Sequence, residues 1–394
     1  AKATAFYIAL PPQTFENGFK VEVVCADDTK MVKYSSNSLS IERNHIQPMA
    51  EFSYTANISP SNQIWYTSSN GYVVTPYETN VFGAKIISNT YNKGKGVIIF
   101  NGDVTSIGDW AFFGCNSLTS VTIPDSVTTI GISAFEGCYS LTSVNIPDSV
   151  TEIGDNAFYD CSSLTSVNIP DSVTEIGWGA FSVCTSLKEF KGKFATEDGR
   201  SLIMDNTIIA YAYASGTTYT IPDSVTTIGS YVFKHCSSLT SVNIPDSVTT
   251  IGDGAFHVCS SLTSVNIPNS VTTIGQDAFC QCYSLTSVNI PDSVTTIGYY
   301  AFHSCYSLTS VTIGDSVKTI GNYAFRDCDS LTSVYCKATT PPSLGGTEVF
   351  DTNGSGRKIY VPTESVEMYK STTGWSSYAD SIVGYYFENG VVVE

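Results

Sequence analysis

The feature that most restricts what this chain can fold into is a 23-residue phrase that recurs along it. Its clearest copy spans residues 239–261, LTSVNIPDSVTTIGDGAFHVCSS. A phenylalanine marks each copy: Phe112, Phe135, Phe158, Phe181, Phe233, Phe256, Phe279, Phe302 and Phe325. A cysteine follows three residues after each one, at Cys115, Cys138, Cys161, Cys184, Cys236, Cys259, Cys282, Cys305 and Cys328. The markers step by 23 residues, with a single step of 52 between Cys184 and Cys236. A fixed period of this length predicts a solenoid, in which no unit can bury its apolar side alone and each covers its neighbour.

One unit, residues 141–163, shows how the phrase translates. Leu141, Val144 and Ile146 alternate with polar residues, which predicts a short strand with Thr142 and Asn145 outward. Pro147 ends the strand because it has no N–H for a ladder. Asp148 and Ser149 suit the turn that follows. Val150 and Ile153 then bury a second side, and Gly154 reads as a bend. Ala157, Phe158 and Cys161 form a tight 3-10 or helical turn back to the next strand. The expected class is a β-rich solenoid with short helical turns, α/β by class, with a parallel sheet on one face and the phenylalanine column as its spine.

Residues 1–52 do not repeat. FYIAL, FKVEVVCA, KMVKYS and LSIERNHI alternate apolar and polar positions between turn residues, as a small antiparallel β-subdomain would. Residues 53–96 read as a connector and N-terminal cap, with FGAKIIS expected as the strand facing the open end of the array. The array is expected over 97–336. Its long step holds an irregular unit, 188–220, in which SLIMD and TIIAYA flank Asp205-Asn206 as a β-hairpin on the side opposite the main strands. Residues 337–394 are expected to close the other end, with LTSVYC as the last strand of the pattern, KIYVP as a further strand, a helix started by a Ser/Thr cap in PTESVEMYKST, and Trp375, Tyr378, Ile382 and Val383 as the closing apolar area.

Composition removes several functions. A net charge of −17 opposes nucleic acid, which requires a basic face. No apolar run is long enough to enter a membrane. The chain opens on Ala1 without a signal peptide, as a mature or trimmed product would. Nine of the 12 cysteines share one column, where neighbouring side chains point the same way; they read as buried free thiols and not as a disulfide framework. Cys25, Cys280 and Cys336 lie outside it. His257 and His303 share a column two units apart, too far for a common metal. A row of aspartates, Asp125, Asp148, Asp171, Asp223, Asp246, Asp292 and Asp315, reads as a turn-capping ladder, since a flat ridge offers too few oxygens for calcium. No nucleophile motif or phosphate loop is present. A repeat makes rows of like groups, whereas catalysis needs unlike groups converging. No enzyme, cofactor or metal is expected.

The unit L-T-S-V-x-I-P-D-S-V-T-x-I-G-x-x-A-F-x-x-C-x-S resembles the BspA-like class of leucine-rich repeats. The hairpin-bearing FKGKFATEDGRSLI is similar to a variant unit of that class. IYVPTESVEMYKSTTGWSSYADSIV resembles the closing segment of such proteins from anaerobic gut and oral bacteria, and FYIALPPQTFENGF with LSIERNHI the end of a fimbrillin-like β-sandwich. The resemblance implies a right-handed leucine-rich solenoid on an exported protein at the cell surface or outside the cell, often held as an outer-membrane lipoprotein. It also implies adhesion to host or bacterial partners.

Two faces could bind a partner. The strand face carries Thr142, Asn145, Thr165, Asn168, Thr240, Asn243, Thr263, Asn266, Thr286 and Asn289, nearly identical between units, and reads as a solubilising face. The variable positions lie around the turns. There the aromatics collect: Trp110, Tyr139, Tyr159, Trp178, Tyr231, Tyr283, Tyr299, Tyr300, Tyr306 and Tyr323, residue types favoured at interfaces. The expected function is non-enzymatic adhesion to a protein partner. A structural spacer and a glycan-binding module of a nutrient-uptake system are the alternatives, and the oligomeric state stays open.

Overall fold

The computed structural model describes residues 60–388 and 391–392, together with the strands Gln13–Phe15, Phe19–Val24, Lys30–Ser35 and Leu39–Ile41. The FYIAL stretch and Cys25 lie outside the described residues. The chain divides into two units, 1–59 and 60–394. In the first, Phe19–Val24 pairs antiparallel with Lys30–Ser35, and Gln13–Phe15 pairs antiparallel with Leu39–Ile41.

The second unit is a β-solenoid with three rows of stacked backbone. The first row holds the L-x-x-V-x-I strands. They pair in parallel with like residue opposite like: Val121 with Val144, Val242 with Val265, and Val288, Val311 and Val334 in succession. The second row is a ladder of two-residue strands. It joins Ile107, Ile130, Ile153 and Ile176, and later Ile228, Ile251, Ile274, Ile297 and Ile320. The third row is the A-F-x-x-C turn. Its N–H groups reach into the next unit, as Phe112 N–H does to Ala134 O at 2.7 Å and Gly114 N–H to Glu136 O at 2.8 Å. The equal spacing of the copies sets this register, because any slip would move an apolar position out of its column.

Inside the three rows the phenylalanines stack face to face. Phe112, Phe135, Phe158 and Phe181 lie 5.2–5.3 Å apart between centroids, with planes within 6°. Phe233, Phe256, Phe279, Phe302 and Phe325 form a second run at 4.9–5.2 Å. All are buried. Each contributes on the order of 1.5–3 kcal/mol of transfer free energy. The column cysteines sit beside them. Among the described residues every cysteine is free, and in the column all but Cys115 are buried. Each buried column thiol except Cys236 donates to the carbonyl of the phenylalanine one unit back. Cys138 does so to Phe112 O at 3.2 Å, and Cys259 to Phe233 O at 3.0 Å. Asn353 takes over at the C-terminal end, its Nδ2 donating to Phe325 O at 2.7 Å.

The glycine after the second-row isoleucine does a different job from the bend expected of it. Gly154 has no positive φ; a Cβ there would lie 2.7 Å from the backbone of Gly131 and Ile132. The residue is glycine because successive turns approach too closely for a side chain.

The irregular unit separates the two phenylalanine runs. Ser201–Met204 and Thr207–Tyr211 form an antiparallel hairpin whose second strand joins the second row, Ile208 lying opposite Ile228. Both turn residues, Asp205 and Asn206, have positive φ, 49° and 59°. Phe190 meets Phe181 edge-on, and Tyr211 and Tyr219 pack on Phe233.

The ends differ from the sequence reading in three respects. The strand facing Leu118–Thr122, the first strand of the array's first row, is Gln63–Ser68, paired antiparallel; FGAKIIS leads into Ile86–Asn92 at the outer edge, with Lys95–Phe100 between. At the other end the expected strand Lys358–Pro362 does not stand apart from the pattern but continues the first row past Ser333–Cys336, and Ile382–Tyr385 extends it again. Phe350 prolongs the phenylalanine stack, and Trp375 and Tyr378, the rings expected to close this end, lie on it at an angle. Ser365 precedes the helix Val366–Ser371 but does not cap it; its hydroxyl donates to Thr339 O at 2.8 Å.

Candidate interaction surface

Three recurring polar positions of the unit, two threonines and one serine, hold the units together. Thr142 Oγ1 donates to Thr119 O at 3.1 Å and Thr263 Oγ1 to Thr240 O at 3.2 Å, along the first row. Thr151 repeats this beside the second row, to Thr128 O at 3.3 Å. In the P-D-S-V turn it is serine that bridges: Ser149 Oγ donates to Val127 O at 2.6 Å and Ser270 Oγ to Val248 O at 2.6 Å. The expected aspartate capping ladder is therefore a serine ladder, and the aspartates project outward. Asp292 departs from its row, taking Lys337 Nζ at 2.7 Å and the amide of Asp315 at 3.1 Å. Those contacts outweigh the cost of burial and hold its carboxyl below the ordinary carboxylate value. The strand-face residues Asn145, Asn168, Asn243, Asn266 and Asn289 are exposed in a uniform row.

What varies between units is confined to the turn row. Two residues per turn there have left-handed backbone: one two residues before each phenylalanine, as at Trp110, Tyr231, Tyr300 and Tyr323, and one two residues after, as at Asp160, His235 and Ser304. Even valine takes this conformation, at Val183 and Val258, which is strained for a β-branched residue. These alternations throw the neighbouring side chains outward from the turn.

The structure gathers the ten expected aromatics into separate groups. Tyr299, Tyr300 and Tyr323 form one cluster: Tyr300 stacks on Tyr323 at 4.9 Å, and Tyr299 meets Tyr300 edge-on at 4.1 Å. Contact with Tyr300 pushes the Tyr299 hydroxyl up to about 12. His303 joins by an edge contact with Tyr300 at 4.8 Å, and its Nε2 lies 3.2 Å from Asp327 Oδ2. Tyr283 and Tyr306 stack in their own column at 5.1 Å. Tyr159 and Tyr231 are bridged by Lys234, whose ammonium lies 5.1 and 5.2 Å from their ring centroids. Tyr139 stands with Phe113 and Tyr159 around a concavity. Trp178 lies over Gly229, and Trp110 stands apart, 46% exposed. Tyr159, Tyr283, Tyr300 and Tyr323 are half-buried by their neighbours, not exposed.

The sequence reading passed over Phe113 and Lys234 in this row and weighed His303 only as a metal ligand. All three occupy the position directly after the marker phenylalanine. That column changes residue in nearly every unit, and this variability was the available signal. Cys280 shares it, with its thiol 3.9 Å from His303 Nδ1. Burial and the nearby Asp277 push that thiol up to about 12, away from the thiolate a nucleophile requires.

The chain matches the BspA type leucine rich repeat region, in six copies, over residues 85–198 and 207–335. Among solved structures it is similar to a leucine-rich repeat protein from Eubacterium ventriosum (27% identity, 64% of this chain and 81% of that one, TM-score 0.53). It shares the fold of the pneumococcal vaccine antigen PcpA (22% identity, 74% and 77%, TM-score 0.60). A leucine rich cell surface protein from Faecalibacterium prausnitzii is 31% identical over 59% of this chain and 76% of its own, with a TM-score of 0.42. A search of curated proteins found no match. The matched repeats cover more than half of the sequence and coincide with the stacked turns, so this chain belongs to the BspA-type leucine-rich repeat proteins.

Proposed function

We propose that the chain is a non-enzymatic binding protein that presents the turn row to a protein partner. The observation that carries this reading is the division of labour between positions. In most units two threonines, one serine and the cysteine are engaged with the unit before, the exposed asparagines and aspartates hardly change, and the residues that differ from unit to unit, and hence can discriminate, are those of the turn row. Aromatics supply large contact area there at low cost in ordering. The family resemblance adds export and a station at the cell surface, with anchoring by lipid.

The test is an array of immobilised host and bacterial proteins and glycans probed with the full chain and with the Tyr299→Ala/Tyr300→Ala double variant, whose folding is checked by circular dichroism. Reproducible capture by a protein, reduced about tenfold or more in the variant, supports the reading. Capture by glycans alone would move the function to a sugar-binding module, and silence across the array would leave a structural spacer. Surface station is tested separately, by protease shaving of intact cells.

A further inference from the structure

The turn row carries a notch whose origin can be traced to sequence. The position two residues after the marker phenylalanine bears a side chain in most units, such as Asp160, Val183, His235, Gln281 or Asp327. In the first two units it is glycine, Gly114 and Gly137, both with positive φ, 64° and 70°. A Cβ on Gly114 would meet nothing within 4 Å. Two successive missing side chains leave a concavity of about 240 Å³. Phe113, Glu136 and Tyr159, from consecutive units of one column, line it. Tyr139 stands at its rim, with its ring 3.9 Å from where a Gly137 Cβ would be, and Asp160 also lines it.

The chemistry of this notch is specific. Three aromatic rings surround two carboxylates. Glu136 takes one hydrogen bond, from Ser133 Oγ at 2.5 Å. The Asp160 carboxylate takes none from the described residues, and burial together with the charge of Glu136 raises it above the ordinary value. A cation entering here would relieve that repulsion and rest against ring faces. Tyr159 is already presented to such a group, since Lys234 of this chain approaches its ring.

We infer that the notch between the first turns holds the lysine or arginine side chain of a protein partner. The inference rests on the turn row being the binding face. It adds the chemistry of one anchoring contact, at the opposite end of the array from the Tyr299 cluster. The volume suits one side chain and not a length of backbone. The acidity of the whole chain draws a basic partner in, and the rings and paired carboxylates fix one residue of it.

Saturation-transfer NMR tests this on the full chain with three short Gly-Ser peptides, bearing a central lysine, arginine or acetyl-lysine, at about 0.15 M ionic strength. Transfer to the lysine or arginine side-chain methylenes, and little to acetyl-lysine, is expected. Glu136→Gln/Asp160→Asn should weaken binding about tenfold or more. Asp223→Asn/Asp246→Asn changes net charge equally on the outward ridge and should leave it within about twofold. Gly137→Asn fills the notch with a polar side chain of the size that Asp160 and Asp327 supply in other units, and should abolish binding with both carboxylates in place. Equal loss in the ridge variant, equal binding of acetyl-lysine, or binding that survives the filled notch would each overturn the inference. So would silence of the peptides. If the array partner were still captured through Tyr299 and Tyr300, that silence would leave the proposed function standing.

Discussion

At the scale of single residues, the column cysteines are small apolar groups that also stitch one unit to the last. Burial pushes the column thiols from Cys115 to Cys305 above the ordinary value; Cys115, the partly open one, reaches about 11 and Cys184 about 12. Thiolate is therefore scarce at neutral pH, and access decides reactivity. Alkylation of the native protein should modify Cys115 first among the described cysteines and leave the buried column untouched until denaturation. Peptide mass spectrometry would show this, and four or more disulfides in the same experiment would contradict it. The histidines give a second residue-scale expectation. Burial lowers His235, His257 and His303, in the last case against the pull of Asp327. The unfolded chain then takes up these protons first, near pH 6.5. The stability they leave intact above that pH should fall as pH drops from there through the lower folded values. Denaturant midpoints between pH 7 and 5 should slope less in a His257→Gln variant than in the parent.

At the scale of elements, the close passage of turns sets the tolerance of the repeat. Gly275→Ala would place a Cβ 2.7 Å from Asp253 Oδ1 and from the backbone carbon of Gly252. The units would have to part, at a cost of about 1–3 kcal/mol, read as a lower midpoint in chemical denaturation. Gly102, whose φ is not positive and where a Cβ would meet only Ala84 Cβ at 3.9 Å, serves as the control. The hairpin of the irregular unit is governed by its turn. With positive φ at both Asp205 and Asn206, Asn206→Gly should be neutral or stabilising, whereas Asn206→Val should cost about 1–2 kcal/mol for a left-handed β-branched residue. A thermal melt of the two variants that gave the same midpoint would refute this account of the turn.

At the scale of the molecule, coupling runs along the stack. Phe256 lies 4.9 Å from Phe233 and 5.0 Å from Phe279, fully buried. Phe256→Ala should cost about 3–5 kcal/mol, because neighbours held in register cannot collapse into the space. Since each unit touches mainly the next, the damage should stay local. Hydrogen exchange should accelerate over residues 230–285 more than in the units around Phe135, on the far side of the hairpin. The exposed Tyr139→Ala should change stability by under about 1 kcal/mol. Uniform acceleration from end to end would mean that the solenoid unfolds as one cooperative block.

The sequence alone determined the solenoid, the inward column of Phe, Ile, Val and Cys, and the place of the irregular hairpin. Each of these follows from periodicity, and a repeated apolar pattern has only one way to bury every copy. The ends were harder to read because their strands keep the geometry of the repeat without its spelling. Phe350 and Asn353 stand in for Phe and Cys after a longer step, and Gln63–Ser68 enters the first row antiparallel from outside the repeat. The grouping of the turn-row aromatics was not legible either. Sequence shows which positions vary, but which rings meet depends on alternating left-handed backbone and on contacts between residues of neighbouring units. The tertiary structure also decided that serine and not aspartate bridges the turns, because it sets the serine hydroxyl within reach of a carbonyl of the unit before, to which a carboxylate could not donate. Last, it converted two glycines in one column into a notch, since absent side chains make a site only when the turns that lack them are stacked side by side.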